Sequence, residues 1–379
     1  MNKNKILITG GAGFIGSRLS NALVKNGHAV RVLDNLSPQI HGENPLESAL
    51  FKSLDTRVEF IRGSVTSRDD LVKALAGVDT VVHLAAETGT GQSMYAIQHY
   101  TDVNVGGTAL LLDIIANSKL PVKKIVVASS RAVYGEGKYY CKTHGFVYPD
   151  SRSLEDMEKG DFEVHCPVCR AVTDMVPTDE STPVRPASVY GITKLNQEQM
   201  VMTVAKALNI SAVAFRYQNV YGPGQSLSNP YTGILSIFST RILNGNGINI
   251  FEDGKESRDF VYIDDVVAAT RQAVEFNGFI QEVFNVGSGI ATDVRTIADM
   301  LQSLLDQKVD VKISGQFRVG DIRHNVADLT RVQQGLSFVP AISIEQGLNN
   351  FATWVKGEKI QSDRYDESIR ELREKGLFK

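Results

Sequence analysis

The stretch ILITGGAGFIG, residues 6–16, decides how the rest of this chain is read. A short apolar run ends in Gly10, Gly13 and Gly16, and a helical pattern begins at Phe14 and Ile15. Glycines at this spacing make a tight turn, let the backbone approach a pyrophosphate, and leave helix N-terminal N–H groups facing an anion. The next β-branched run ends in Asp34, followed by Asn35. A carboxylate about 20 residues beyond the glycines accepts hydrogen bonds from an adenosine ribose and repels a 2′-phosphate, which selects NAD over NADP.

The pattern set by that stretch continues through the first half. Strand-like runs at 5–9, 29–33, 58–61, 80–83 and 124–128 alternate with helical patterns at 14–26, 67–76 and 93–118. A helix at 188–208 and a strand at 210–217 follow. Such alternation predicts an α/β fold of Rossmann type, a doubly wound parallel sheet with helices on both faces. The last third mixes helical patterns near 264–276, 292–307 and 344–357 with short strands. It reads as a smaller mixed α/β substrate lobe. The expected division is 1–220 for the dinucleotide domain and 221–379 for this lobe, with the chain crossing between them. The charge-rich tail 362–379 reads as an exposed amphipathic helix.

Composition bounds the rest. Of 379 residues, 42% are apolar and 22% charged, with a net charge of −3; this suits a globular protein with a real core. No basic stripe marks a nucleic-acid footprint, and no apolar run reaches the ~18 residues needed to cross a bilayer. The apolar run behind the N-terminus is too short for a signal segment, and three cysteines do not make a secreted disulfide framework. The expected compartment is the cytoplasm.

Two further segments carry chemistry. VASSRAVYG places Ser129 and Ser130 at the end of the fifth strand, and SVYGITK places Tyr190 and Lys194 four residues apart on one helix face. An ammonium beside a phenol, with a positive nicotinamide nearby, lowers the tyrosine toward neutral. That tyrosine can then take a proton from a sugar hydroxyl, oriented by Ser130, while the carbon gives up hydride.

With these residues in place the sequence resembles the extended short-chain dehydrogenases/reductases of the NAD-dependent nucleotide-sugar epimerase/dehydratase family. The resemblance is carried by TGGAGFIG (9–16), LDN (33–35), HLAA (83–86), VNVGGT (103–108), SSRAVYG (129–135), YGITK (190–194), FRYQNVYGP (215–223), SRDFVYIDDV (257–266) and GDIRHNVAD (320–328). It implies that Gly10, Gly13, Phe14, Ile15, Gly16, Asp34 and Asn35 hold NAD. It adds Ser64, Val65, Leu84, Ala85, Ala86, Asn104 and Ser129 to the cofactor site, with Tyr190 and Lys194, and brings Tyr217 and Val220 to the nicotinamide. On the substrate side it implies Thr88, Ser130, Asn219 and Phe251 for sugar and base, and Arg258 and Arg323 for the diphosphate. Guanidinium forks suit phosphate oxygens on independent grounds. It also implies a homodimer through the helices at 93–118 and 188–208. The chain departs from the family at Ser64, where an aspartate commonly reaches the adenine amine. It departs again at Arg131 and Ala132, where the sugar dehydratases carry an Asp-Glu pair; without that pair, elimination of water is not expected.

Removing residues 138–176 restores the family's run into Tyr190, so this segment is an insertion; loops this long generally have a function or a staple of their own. It holds Cys141-x-x-His144 and Cys166-x-x-Cys169, which include every cysteine of the chain. Two such pairs match a closed, structural zinc site, with His165 a rival fourth ligand. A disulfide or free thiols are the other readings; a reducing compartment disfavours the disulfide. With GTGQSMY (89–95) and GQSLSNPYTG (224–233), the insertion narrows the expectation. The expected activity is an NAD-dependent nucleotide-sugar 4-epimerase passing through a transient 4-keto sugar, with dTDP-L-rhamnose and dTDP-6-deoxy-L-talose as the pair. The alternative substrate is UDP-glucose or UDP-N-acetylglucosamine. A sugar-nucleotide reductase and a non-catalytic NAD-binding module are the other classes; the intact Ser130, Tyr190 and Lys194 argue against the second.

Overall fold

A computed structural model describes residues 3–231 and 233–379; Thr232 of the 224–233 motif lies outside the described residues. Seven parallel strands form the main sheet: β1 (Lys5–Thr9), β2 (Ala29–Asp34), β3 (Glu59–Arg62), β4 (Thr80–His83), β5 (Lys124–Ser130), β6 (Ser211–Tyr217) and β7 (Gln281–Val286). Their order is β7-β6-β5-β4-β1-β2-β3. The register brings Thr9 beside Leu33 and His83, and Ser129 and Ser130 beside Arg216 and Tyr217. The strands alternate faces. Ile6, Ile8, Val82, Val126 and Val213 pack under the helices Phe14–Lys25 and Ile263–Glu275. Leu7, Val81, Ile125, Val127 and Ala212 pack under Arg68–Leu75, Gly107–Asn117 and Val189–Leu208. Both faces are covered, which is why these strands read as near-continuous apolar runs. The strand order reverses between β1 and β4, so their carboxyl ends open the crevice where such sheets bind ligands.

A smaller lobe is built on the strand Ser257–Tyr262. It pairs in parallel with Asn219–Tyr221 and His324–Asn325 and antiparallel with Ala291–Asp293. A second pair, Ile248–Ile250 and Val311–Ile313, lies beside the helix Ile234–Leu243. The division at residue 220 needs correction. Helix Ile263–Glu275 packs on Phe14–Lys25, and β7 pairs with β6 at the sheet edge, so residues 263–286 belong to the first lobe.

The insertion forms its own antiparallel sheet, Gly145–Val147, Tyr139–Cys141 and Asp174–Met175. The helix expected over 93–118 is interrupted between Thr90–Ser93 and Ile97–Tyr100; from Ile97 it runs on through a wide turn at Thr101–Gly106 into Gly107–Asn117. The tail is not exposed as expected. Tyr365, Ile369, Leu372 and Phe378 are buried, against Tyr95, Ile237 and Phe251. No helix of the described residues is long and apolar enough to cross a membrane.

Candidate active site

The glycine loop follows β1. Gly10 has φ +68°, and a Cβ on it would lie 2.8 Å from the Ala85 backbone nitrogen. On Gly16 a Cβ would lie 2.4 Å from the Gly10 carbonyl oxygen. Any side chain there would push the helix off the turn. The helix Phe14–Lys25 begins at Gly13 with no side-chain cap, which leaves its first amides for an anion. Phe14 and Ile15, half-buried, form its first turn. Asp34 Oδ2 accepts from the Ala12 N–H at 3.0 Å and Oδ1 from the Leu36 N–H at 2.8 Å, tying the second strand to the loop. Asn35 is exposed beside it. Leu84 donates its N–H to the Thr9 carbonyl at 3.1 Å, and half-buried Leu84, Ala85 and Ala86 form the opposite side of the crevice. A backbone cradle, an uncapped helix start and an acid at the strand end fit a dinucleotide.

Four residues implied for the cofactor turn their side chains elsewhere. Asn104 is fully buried; its amide accepts from the Glu87 N–H at 2.7 Å and donates to the Glu87 carbonyl and Thr193. It clamps the loop after β4 to the helix Val189–Leu208. Tyr217 meets the Thr270 hydroxyl at 2.7 Å in the core, and Ser129 donates to Glu198 at 2.6 Å. Val65 packs in the core against Gly107, where a Cβ would come within 2.7 Å of it. Period-2 alternation along β5 and β6 explains two of these, since neighbours in a strand face opposite sides. Ser64 keeps its hydroxyl 2.8 Å from that of Thr66, and Val220 is half-buried on the main core.

Ser130 ends β5, and its Oγ accepts from the Ala132 N–H at 3.2 Å. Tyr190 stands in the first turn of the helix capped by Ser188, with its own N–H on the Ser93 hydroxyl at 3.0 Å. Its phenol lies close enough to the Ser130 hydroxyl to be influenced by it. Burial raises the phenol above its ordinary pKa, and the Ser130 hydroxyl and the Arg131 cation pull it back. The expected pull from Lys194 is therefore corrected: the chain's own cation at Tyr190 is Arg131. Lys194, buried one turn on, donates to Gln197 Oε1 at 2.6 Å. Burial brings its pKa down to about 7, with Glu198 opposing. Gln197 continues the chain to Thr108 at 2.8 Å and His83 at 3.2 Å, and His83 to Thr9 at 2.7 Å. Burial and the Lys194 charge hold His83 down at about 3, so this imidazole is neutral.

Beginning at Arg131, the residue after Ser130, a cleft of about 160 Å³ runs into the smaller lobe, lined by Arg131, Asn219, Phe251, Glu256, Arg258 and Arg318 among others. Asn219 Oδ1 accepts from Arg131 Nε at 2.8 Å. Arg258 donates to the carbonyls of Ser257, Ile322 and Arg323 and to Asp321. Arg323 is a correction. Its side chain is fully buried and paired with Asp253 at 2.6 Å, Glu252 at 3.1 Å and Glu163 at 2.8 Å, away from the cleft. Arg318, missed in the sequence, stands at the cleft with its guanidinium 4.9 Å from the Phe251 ring centroid. Charge alone cannot rank two arginines five residues apart; the chain direction around Gly320 decides. Thr88 gives its carbonyl to the Tyr100 hydroxyl at 2.6 Å, and Thr90 and Gly91 line the cleft in its place.

In the insertion the donor atoms of Cys141, His144, Cys166 and Cys169 all lie within 4.8 Å of one another. Cys141 Sγ is 3.7 Å from Cys169 Sγ, and His144 Nδ1 is 3.6 Å from both Cys141 and Cys166. A tetrahedral ion with ~2.3 Å metal–sulfur bonds separates its sulfurs by about 3.8 Å, so this donor set fits one. The cysteines are free thiols. His165 is engaged by Asp161 at 2.8 Å and the Arg170 carbonyl at 2.9 Å, which leaves His144 as the fourth donor.

A sequence profile of the NAD dependent epimerase/dehydratase family matches residues 6–153 and 166–287, breaking only inside the insertion. The dTDP-L-rhamnose 4-epimerase of Burkholderia thailandensis is 37% identical over 356 residues, 93% of this chain and 95% of that protein. The UDP-glucose 4-epimerase of Mycolicibacterium smegmatis is 30% identical over 347 residues, 91% and 96% of the two chains. Among solved structures, the UDP-glucuronic acid 4-epimerase of Bacillus cereus, in complex with UDP-glucuronic acid and NAD, superposes with a TM-score of 0.76. It shares 28% identity over 93% of this chain and 99% of that one. Given a profile match over most of its length and relatives that align nearly end to end, the chain belongs to the NAD dependent epimerase/dehydratase family.

Proposed function

We propose that this enzyme is an NAD-dependent nucleotide-sugar 4-epimerase and that dTDP-L-rhamnose and dTDP-6-deoxy-L-talose are its substrate pair. The observation that carries the chemistry is that the helix of Tyr190 packs on the strand that ends in Ser130, next to Arg131 of the arginine-lined cleft. When bound, NAD would supply a nicotinamide able to take hydride from C4 and give it back to the opposite face of the 4-keto sugar. Tyr190 takes the proton of the C4 hydroxyl and later gives it back, and Ser130 holds that oxygen in line. Lys194, one turn on from Tyr190 and donating to Gln197, is the ammonium that would hold the cofactor ribose. Arg131, Arg258 and Arg318 face the diphosphate, and Phe251 offers a ring to the base. Arg131 and Ala132 lack the acid–base pair that removal of water requires, which favours epimerisation over elimination.

The choice of sugar rests on the 37% identity to the dTDP-L-rhamnose enzyme, against 28–30% for UDP-sugar relatives. The alternative, a UDP-hexose, is supported by the UDP-sugar complexes among the solved neighbours. Incubation with each nucleotide sugar, followed by proton NMR at C4, separates them. Failure to convert any dTDP- or UDP-sugar overturns both. Tyr190→Phe should lower turnover by about 10²–10⁴ while NAD stays bound.

The four-donor cluster holds a structural zinc in this reading, with no position left open for substrate. Elemental analysis should find one zinc per chain. The helices Gly107–Asn117 and Val189–Leu208 pack side by side, and the second leaves Ile192 and Leu208 exposed; a homodimer across this face is the corresponding assembly. Three free thiols accord with a cytoplasmic setting.

A further inference from the structure

We infer that the C-terminal segment completes the nucleotide end of the cleft, with Phe378 as the positioning residue for Phe251 and Arg318. The inference rests on the nucleotide-sugar reading of that cleft. Residues 377–379 run antiparallel to 317–319. The Phe317 N–H donates to the Lys379 carbonyl at 2.9 Å, the Lys379 N–H to the Phe317 carbonyl at 3.0 Å, and the Val319 N–H to the Leu377 carbonyl at 3.0 Å. The pairing sets Phe378 opposite Arg318. Phe378 meets the Phe251 ring edge-on, with centroids 4.9 Å apart, and Arg318 lies over the same Phe251 ring. Phe251 is thus held between two groups, one of them supplied by the chain's second-last residue.

The helix before it is fixed as firmly. Arg241 pairs with Asp363 at 3.2 Å and Asp366 at 3.1 Å, and its guanidinium lies over the Tyr365 ring. The Tyr231 hydroxyl donates to Glu371. Tyr365, Ser368 and Leu372 of this helix line the cleft themselves. The tail also reaches the insertion: Lys379 Nζ is 2.7 Å from Glu158, and Phe162 packs on Phe317 beside the paired segment. Geometry at Arg318 and Phe251 therefore depends on a backbone pairing that forms only when the last three residues are present. A loosened Arg318 and Phe251 weaken the hold on phosphate and base without touching Ser130 or Tyr190.

The test uses the full-length, NAD-loaded enzyme, a truncation lacking residues 378–379, and Phe378→Ala and Phe378→Tyr. Titration calorimetry with dTDP and with UDP reads the affinity, and steady-state kinetics split KM from kcat. The truncation and Phe378→Ala should weaken the preferred nucleotide about tenfold and raise KM to match. They should leave kcat within about twofold, and Phe378→Tyr should recover most of the affinity. Wild-type affinity in the truncated enzyme overturns the inference. So does a parallel loss of NAD and melting temperature, which would mark a merely structural role. A wild-type enzyme that binds neither nucleotide overturns the nucleotide-sugar reading itself, and this inference with it.

Discussion

Of Arg131 and Lys194, only Arg131 acts on the Tyr190 phenol. Arg131 follows Ser130 directly and acts on the phenol through space, whereas Lys194 spends its proton on Gln197. Replacing Arg131 by methionine removes a charge that favours the phenolate, so the Tyr190 pKa rises. If the phenolate is the working base, the ascending limb of the kcat/KM profile should shift to higher pH; an unmoved limb counts against Arg131. Lys194 makes the opposite case. Burial holds it at about 7, below the ~10.4 of an unfolded lysine. The fold therefore penalises the charged form. That penalty is full below the folded value, fades as pH rises and is gone above the unfolded one. Lys194→Met should melt higher than wild type near neutral pH, by on the order of 1 kcal/mol or more, and converge with it near pH ~10. Turnover should fall in the same variant. The four-residue spacing of Tyr190 and Lys194 was readable from sequence; the partner Lys194 chooses was not, because Gln197, His83 and Thr108 converge from two helices and a strand.

The insertion is a folded unit whose stability is concentrated in a few donors. Its sheets are short and its core is Tyr139, Cys141, Val147, Val164 and Cys166, too little apolar area to stand without a staple. Yet it carries Arg152, which pairs with Glu136 at 3.1 Å and Glu252 at 2.8 Å, the residue next to Phe251. If the four donors hold zinc as proposed, Cys166→Ala should release it and loosen Arg152. Zinc content should then fall with a several-fold rise in the nucleotide-sugar KM, while NAD content holds; an unchanged KM would separate the insertion from the cleft. That Cys141, His144, Cys166 and Cys169 come together was legible because cysteine and histidine spacing is a local signal. The break in the helix over 93–118 was not. Its wide turn follows from the burial of Asn104 against Glu87 and Thr193 and from Gly107 against Val65, contacts that join distant parts of the chain. The tail misled for the same reason: its charges face Arg241 and Tyr231, and nothing local to 362–379 announces that.

The two lobes are held together by more than chain crossings. Pattern and glycine spacing made the parallel sheet legible, but not that residues 263–286 return to it, since strand order is decided by long-range pairing of β7 with β6. The same limit hid the role of Arg323. It lies within a buried ionic group that gathers Glu163 from the insertion with Glu252 and Asp253 from the smaller lobe. Arg152 shares Glu252 and adds Glu136 from the segment after β5. Burial works against the Asp253 carboxylate, but the Arg323 hydrogen bonds and charge outweigh it and hold the pKa at about 2. A carboxyl depressed in this way stabilises the fold above its unfolded value of ~3.9, and the gain is lost as pH falls through about 2. Arg323→Met keeps the volume and removes the guanidinium that Glu163 and Asp253 share, leaving Glu252 with Arg152 and Asp253 with the more distant Lys255. Asp253 and Glu163 are about a third exposed, so solvent reduces the loss below the about 3–5 kcal/mol of a fully buried pair, and the variant should unfold at lower denaturant than wild type at pH 7. Protonating these acids should narrow that gap as the buffer is taken toward pH ~3. A denaturant midpoint equal to wild type at pH 7 would mean that Arg323 is free after all, and would return it to the phosphate side of the cleft.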